Sequence, residues 1–347
     1  MFSKNLKYYR LKNNLSKKEL ASRISVTPMA ITNYESGSRQ PDMDILKRLA
    51  GVLGVRVSDF LATRNENLVF AHGEFRKNST LQISQQEYVR ESVEEYLGRF
   101  FSVVDLLGGE VLPKAPDCHA VPMSGAVEAD ATAMRKHLGI SLEGPIDDLI
   151  GTLENKGILV YVCDIPNDKF SGMNGFVNNR PYIIVNGRMS PERNRSTIAH
   201  ELAHLIFDWP DDLPESSIEN MATAISGAFL FPQNDALREL GVRRRSVSKD
   251  MILVCKEYGI SMMLLVKRAQ IAGIISESVA KSFYIEASKH GWKKNEPHRI
   301  APEQPLLFEQ LVYRAVNEND ISIQKGSELL RIPYAEVVKH CCFDEEE

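Results

Sequence analysis

The sequence predicts a multi-domain, mainly α chain with one embedded α+β unit. It comprises an all-α head of five short helices, a small three-stranded sheet beside a metal-binding helix pair, and a helical C-terminal region. Three observations carry that expectation. Residues 1 to 62 are basic and broken into short capped helices; residues 157 to 186 hold three short apolar runs of strand length; and Ile198-Ala-His200-Glu201-Leu-Ala-His204-Leu-Ile206 sets two histidines four apart in a long helical pattern. With 347 residues, 43% hydrophobic and 25% charged, the chain has room for two or three domains and is too apolar for extended disorder. The expected division is 1–63, 64–125, 126–300 and 301–347.

Charge is uneven along the chain. Eleven Lys or Arg against five acids give residues 1 to 62 a charge of +6, so the overall −4 leaves −10 on the remainder. A basic head on an acidic body suits a polyanionic partner. The five cysteines, Cys118, Cys163, Cys255, Cys341 and Cys342, are odd in number and lack C-x-x-C spacing. That argues against a disulfide scaffold and for a reducing compartment. With no signal peptide and no apolar run of bilayer length, the expectation is a cytoplasmic protein with no membrane partner.

In the head, Leu6 to Leu11 belongs to a first helix and Ser16-Lys-Lys-Glu19 is a capping box opening a second, to about Ile24. Ser25-Val26-Thr27-Pro28 makes a tight turn and a new cap before a third helix, Met29 to Glu35. A fourth spans about Met43 to Leu53, stopped by Gly54, and a fifth lies around Ser58 to Leu61. Leu20, Ala21, Ile24, Val26, Ile31, Leu46, Leu49, Ala50 and Leu53 supply the expected core. Helix, three-residue turn, helix is the helix-turn-helix pattern.

Residues 4 to 62 resemble the lambda-repressor/Cro-type, or XRE, helix-turn-helix domains. The likeness rests on Leu15-Ser16-Lys-Lys-Glu19-Leu20-Ala21, Val26-Thr27, Ile31-Thr-Asn-Tyr-Glu35-Ser-Gly37-Ser-Arg39-Gln-Pro41 and Leu49-Ala50-Gly-Val-Leu53-Gly54-Val55. It implies that the third helix enters the major groove of a double-stranded DNA operator, presenting Thr27, Pro28, Met29, Thr32 and Asn33. Pro28 and Met29 offer no side-chain hydrogen bond, so readout would lean on Asn33, Thr32 and methyl contacts, with Lys17 and Arg39 on phosphates. Readers of this type often act on two-fold sites, so a homodimer is expected. The competing role is a protein-interaction module, against which the basic excess counts.

After the head, Phe75-Arg76-Lys77 leads into a long amphipathic helix over Ser84 to Leu107, whose aromatics are core or dimer contacts. Gly108-Gly109 stops it, and Pro113, Pro116 and Pro122 mark a loop. Ala129 to Leu138 and Pro145 to Lys156 read as helices; Gly157 to Cys163, Phe170 to Val177 and Tyr182 to Asn186 read as strands. Ser190-Pro191-Glu192 then starts a helix running to Phe207. Two histidines four apart on it face one way and could share a metal ion, with Glu201 placed as a base; this is the zincin signature. Burying two histidines and a glutamate without partners would cost several kcal/mol, about 2–7 for each unpaired polar group, which favours a ligand role.

A catalytic zinc site needs a third protein ligand. His119, Cys163, Asp208, Asp211, Asp212, Glu215 and Glu219 qualify by chemistry, and spacing favours the next helix, roughly Pro214 to Leu230. On that helix Glu219 precedes an apolar face that would carry it inward, whereas Glu215 reads as a solvated first-turn charge.

Residues 127 to about 240 resemble the ImmA/IrrE-like zinc metallopeptidases. The likeness rests on Gly157-Ile-Leu-Val, Ser171-Gly172, Ile184-Val-Asn186, Glu192-Arg-Asn-Arg195-Ser-Thr197-Ile-Ala-His200-Glu201-Leu-Ala-His204-Leu and Glu219-Asn-Met-Ala222 through Phe231-Pro232. It too implies Glu219 as third ligand, with Ala203, Ser196 and Thr223 standing where Gly, Phe and Asn are common. The expected chemistry is peptide hydrolysis with zinc, or manganese or iron, on His200, His204 and Glu219. Glu201 would be the general base and a substrate strand would add to the edge strand around Gly172 to Val177. Arg195, Tyr182 and His298 are candidates for the oxyanion partner.

Beyond this, Val242-Arg243-Arg244-Arg245 reads as a solvated junction, Ile252 to Tyr258 and Met262 to Ala272 as helices, and His290 to about Pro305 as a linker. Ser322 to Val337 faintly repeats the head and reads as a helical cap; His340-Cys341-Cys342 makes a poor metal site. A DNA reader on a peptidase suggests a regulator that cleaves a helix-turn-helix repressor, a neighbouring gene's product or itself, controlling a stress, phage or defence locus. The alternative is an autoregulator or antitoxin that holds a partner without turnover.

Overall fold

The structure is a computed structural model and describes residues 1–73, 81–292 and 295–341. Phe75-Arg76-Lys77, Lys293, Lys294 and Cys342 lie outside the described residues. By contact the chain forms two compact units. One takes in Met1–Phe70, Phe75–Leu112 and Leu306–Glu347, the other Ala71–Glu74 and Pro113–Pro305.

The first unit opens with α1 (Phe2–Lys12), α2 (Lys17–Arg23), α3 (Pro28–Ser36), α4 (Met43–Leu53) and α5 (Val57–Leu61). The Ser16–Glu19 capping box is formed in both directions, and Thr27 caps α3 at the amide of Ala30. Gly54 takes φ 66°, the left-handed stop that a side chain resists. Seven of the nine expected core residues are buried, with Val26 and Leu46 half-buried. Leu6 and Leu15 join them, as do Phe2, Tyr8, Tyr9, Tyr34 and Phe60, aromatics that the sequence reading did not place in this core. Between α1 and α3, the nearly buried Arg10 meets Glu35 through Nε at 2.5 Å and Nη2 at 3.1 Å, and donates to the Leu15 carbonyl.

After β1 (Phe70–His72), the long α6 (Ile83–Leu106) packs on α1, and the C-terminal helices α15 (Leu307–Asn317), α16 (Ile323–Leu330) and α17 (Tyr334–Cys341) complete the same unit. The α6 aromatics are core: Tyr96 and Phe100 pack their rings against Phe308 at 5.4 and 5.6 Å. Glu95 lies between Arg99 and Arg331, and Arg331 also reaches the Tyr8 hydroxyl. Burial acts to raise the Glu95 carboxyl, but the two guanidinium groups outweigh it and hold it below the usual range.

The second unit contains β2 (Val121–Pro122), α7 (Val127–His137), α8 (Leu149–Asn155), β3 (Leu159–Cys163), β4 (Gly172–Val177), β5 (Arg180–Asn186), α9 (Pro191–Ile206), β6 (Phe207–Asp208), α10 (Glu215–Leu230), α11 (Gln233–Leu240), α12 (Met251–Tyr258), α13 (Met262–Ile271) and α14 (Glu277–Lys289). Helix α8 starts later than expected because Asp148 caps it at the Gly151 amide. The main sheet has four strands in the order β1-β4-β5-β3, with β3 parallel and β4 antiparallel to β5. The expectation of three strands with β4 at the edge is corrected: Gly73 N donates to Asn174 O at 2.9 Å, so the chain's own segment lies along β4.

Helix α9 lies across β4 and β5, and α10 packs on α9. Asn186, fully buried at the end of β5, donates to the Ile165 and Phe170 carbonyls and accepts from the Ile165 amide, which clamps the loop leading into β4. Arg135 and Arg268 donate to the carbonyls of Phe229 and Phe231 at the end of α10. These otherwise orphaned acceptors are thereby satisfied inside the core, which fixes α10 in place.

Candidate metal centre

Helix α9 begins as its sequence requires, with Ser190 Oγ accepting from the Arg193 amide and Pro191 in the first turn. Ile198, Ala199, Leu202, Ala203, Leu205 and Ile206 are essentially buried, so the helix cannot rotate without opening the core. That rigid seat points His200 and His204 the same way, with ring centroids 4.8 Å apart.

The two histidine Nε2 atoms are 3.1 Å apart, and Glu219 on α10 places its carboxylate oxygens 3.4 Å from each. Among the described residues these three form the one group of His, Cys, Asp and Glu close enough to hold a metal ion. Zinc held at about 2.0–2.1 Å by tetrahedral ligands leaves neighbouring donor atoms about 3.3 Å apart, so the unmoved side chains already fit it. Two imidazoles and a carboxylate also suit manganese or iron.

Groups the sequence did not single out surround the ligands. Thr223, noted in the sequence only as a departure from the family pattern, donates from Oγ1 to the Glu219 carbonyl at 2.8 Å and lies 3.3 Å from His200 Nδ1. With Nε2 on a metal ion, Nδ1–H would be the donor to Thr223, and one hydroxyl would link two of the candidate ligands. The Trp209 ring stands 5.6 Å from that of His204. Glu201 is buried and accepts from Asn174 Nδ2 at 2.8 Å, which orients its carboxylate. Asn174 comes from β4, and Thr223 follows Glu219 by four residues on α10; neither spacing by itself shows the contact made with α9.

The remaining candidates lie elsewhere. Glu215, Asp211 and Asp212 are exposed, Cys163 is buried in β3, and His119 faces the Phe207 carbonyl. Arg195 is buried among Glu303 and the Ile146 and Tyr258 carbonyls, and burial lowers its pKa to about 10. His298 is buried 3.6 Å from Glu192 and 3.9 Å from Glu296, in the first turn of α9 and the linker. Both thus have partners outside the His200, His204 and Glu219 group. Tyr182 directs its hydroxyl to His72 Nδ1 at 2.6 Å.

In the first unit, Met29 is 66% exposed, and Thr27, Pro28 and Arg39 are also exposed, with Lys17, Thr32 and Asn33 half-buried. Thr27 Oγ1 is engaged as the α3 cap, and Thr32 Oγ1 donates back to the Pro28 carbonyl at 3.2 Å. Lys17 stands 3.5 Å from Glu35. The described residues contain no helix long and apolar enough to cross a membrane.

Residues 6–60 match the family described as helix-turn-helix, and residues 153–270 match the IrrE N-terminal-like domain. A Bacillus subtilis (strain 168) protein described as an uncharacterized HTH-type transcriptional regulator, YqaE, is 36% identical over 70 residues, 20% of this chain and 60% of that protein. A putative multi-protein-binding factor 1 of Yarrowia lipolytica is 38% identical over 48 residues, 14% of this chain and 32% of its own. An uncharacterized HTH-type transcriptional regulator of Methanocaldococcus jannaschii is 33% identical over 54 residues, 16% of this chain and 82% of that protein. The chain thus spans less than two thirds of the first two relatives. By its head it belongs to the XRE-type helix-turn-helix proteins, and it joins that head to a domain of the ImmA/IrrE-like family.

Proposed function

We propose that the chain is a DNA-binding transcriptional regulator whose second unit is a zinc-dependent endopeptidase. Its substrate on this reading is a helix-turn-helix repressor, a neighbouring gene's product or the chain itself. The observation that carries the reading is the convergence of His200, His204 and Glu219 at tetrahedral spacing, beside a Glu201 carboxylate oriented by Asn174. A divalent cation held there would polarise a peptide carbonyl and acidify water. Glu201 takes the proton from the attacking water and delivers it to the leaving amine, while Asn174 keeps the carboxylate aimed. In the head, Asn33 reads bases and Arg39 and Lys17 hold phosphates, supported by the open face around Met29 and by the +6 charge of residues 1–62.

The test is an intact-mass time course of zinc-loaded protein with the helix-turn-helix or small protein encoded beside it, with and without DNA, and Glu201→Gln as control. Cleavage by the unaltered protein and not by Glu201→Gln is expected. A stable complex with no cut under any condition would replace the enzyme with a partner-holding autoregulator.

A further inference from the structure

The outer edge of β4 is where an extended substrate would add to this sheet, since it borders the strand whose Asn174 holds Glu201. That edge is already occupied. Gly73 N donates to Asn174 O at 2.9 Å, and a Cβ on Gly175 would stand 2.7 Å from the Ala71 carbonyl oxygen, so Ala71 to Gly73 lies directly against β4. A side-chain anchor accompanies the backbone: His72 Nδ1 meets the Tyr182 hydroxyl at 2.6 Å. The fit is close enough to demand glycine, because a Cβ at position 73 would come within 2.5 Å of Asn174 O.

We propose that Ala71–Gly73 is an internal competitor which holds the peptide-binding edge of the metal centre closed until an extended segment of a partner displaces it. The proposal rests on reading the cleft as a peptide site and adds the element that regulates it. A tethered strand competes at an effective concentration on the order of millimolar, so it suppresses weak, nonspecific peptides and yields to a tightly matched one. Withdrawing it exposes the Asn174 carbonyl and releases the Tyr182 hydroxyl from His72.

The test uses full-length, zinc-loaded Glu201→Gln protein, in which nothing is cut, and a fluorescent peptide copying Glu66 to Gly73. The Gly73 amide is expected to exchange at least tenfold more slowly in the protein than in the free peptide. The peptide is expected to bind at least tenfold more tightly once Gly73→Val is added, with α9 amide protection unchanged as the fold control. His72→Ala provides a second, gentler release and should move affinity in the same direction. Equal affinity in all three proteins, or a Gly73 amide that exchanges as in the free peptide, would overturn the proposal. Neither readout needs turnover, so tighter binding with no cleavage of any partner by the Glu201-intact proteins would sink the peptidase reading and leave the internal strand standing.

Discussion

Replacing Thr223 by valine keeps the shape of the side chain and deletes only its hydroxyl. That hydroxyl connects His200 Nδ1 at 3.3 Å to the Glu219 carbonyl at 2.8 Å, so its loss frees the ring of one ligand and the backbone of another. Groups that orient metal ligands are typically worth about 10- to 100-fold in affinity. Thr223 is exposed, so water can take over part of its role, which places the expected loss near tenfold, or about 1.4 kcal/mol. The assay is competition for zinc against a calibrated chelator, with His200→Ala/His204→Ala protein reporting binding elsewhere, for example at cysteines. Thr223→Ser should recover most of the affinity. Zinc binding by Thr223→Val equal to the unaltered protein would refute the reasoning, because it would mean that packing alone orients His200.

Four further outcomes are expected. Glu35→Ala leaves the buried Arg10 guanidinium uncompensated and should cost the first unit about 3–5 kcal/mol, read by denaturant unfolding; a loss under 1 kcal/mol would show that water reaches Arg10. Arg39→Ala should weaken operator binding evenly across sequences and flatten the log affinity against log salt slope by about 0.9, measured by anisotropy titration. Asn33→Ala should instead cost about 1–3 kcal/mol on the operator and little on random DNA. Burial, together with the nearby Glu192 and against a hydrogen bond from the Met262 amide, raises the Glu296 carboxyl to about 7. The folded state therefore holds that proton more tightly than the unfolded chain, and stability falls as pH rises from about 4.5 to about 7. Glu296→Gln should remove that fall, so the gap in Tm between variant and parent should widen over this range and be absent below it.

What could be read from the sequence was whatever a single element encodes by itself. Capping boxes, Pro191 at a first turn, Gly54 at a stop and two histidines four apart are local patterns, and each reappears in the fold where spacing put it. Glu219 was within reach because it lies on the next helix and its apolar neighbours fix which side turns inward. Asn174 and His72 had no such signal, and Thr223 was marked only as a departure from the family pattern. Each acts across a tertiary contact: a strand amide on a helix carboxylate, a hydroxyl between two ligands, an imidazole on a tyrosine in another strand.

The correction at β4 has the same origin and the largest consequence. Strand β1 covers only Phe70–His72, too short for alternation to register, and its partner lies about a hundred residues further on. Read alone, β4 is an edge strand with an open ladder beside a metal helix, which invites any extended chain to pair with it. Glycine at 73 is what lets the protein's own backbone come that close first, since any larger residue would meet the Asn174 carbonyl. A sheet edge kept open would pair indiscriminately; one covered by three residues yields only to a segment that binds better. On the proposed reading, selectivity at the candidate metal centre would depend on how tightly a short internal strand is held, with Gly73 and His72 setting it.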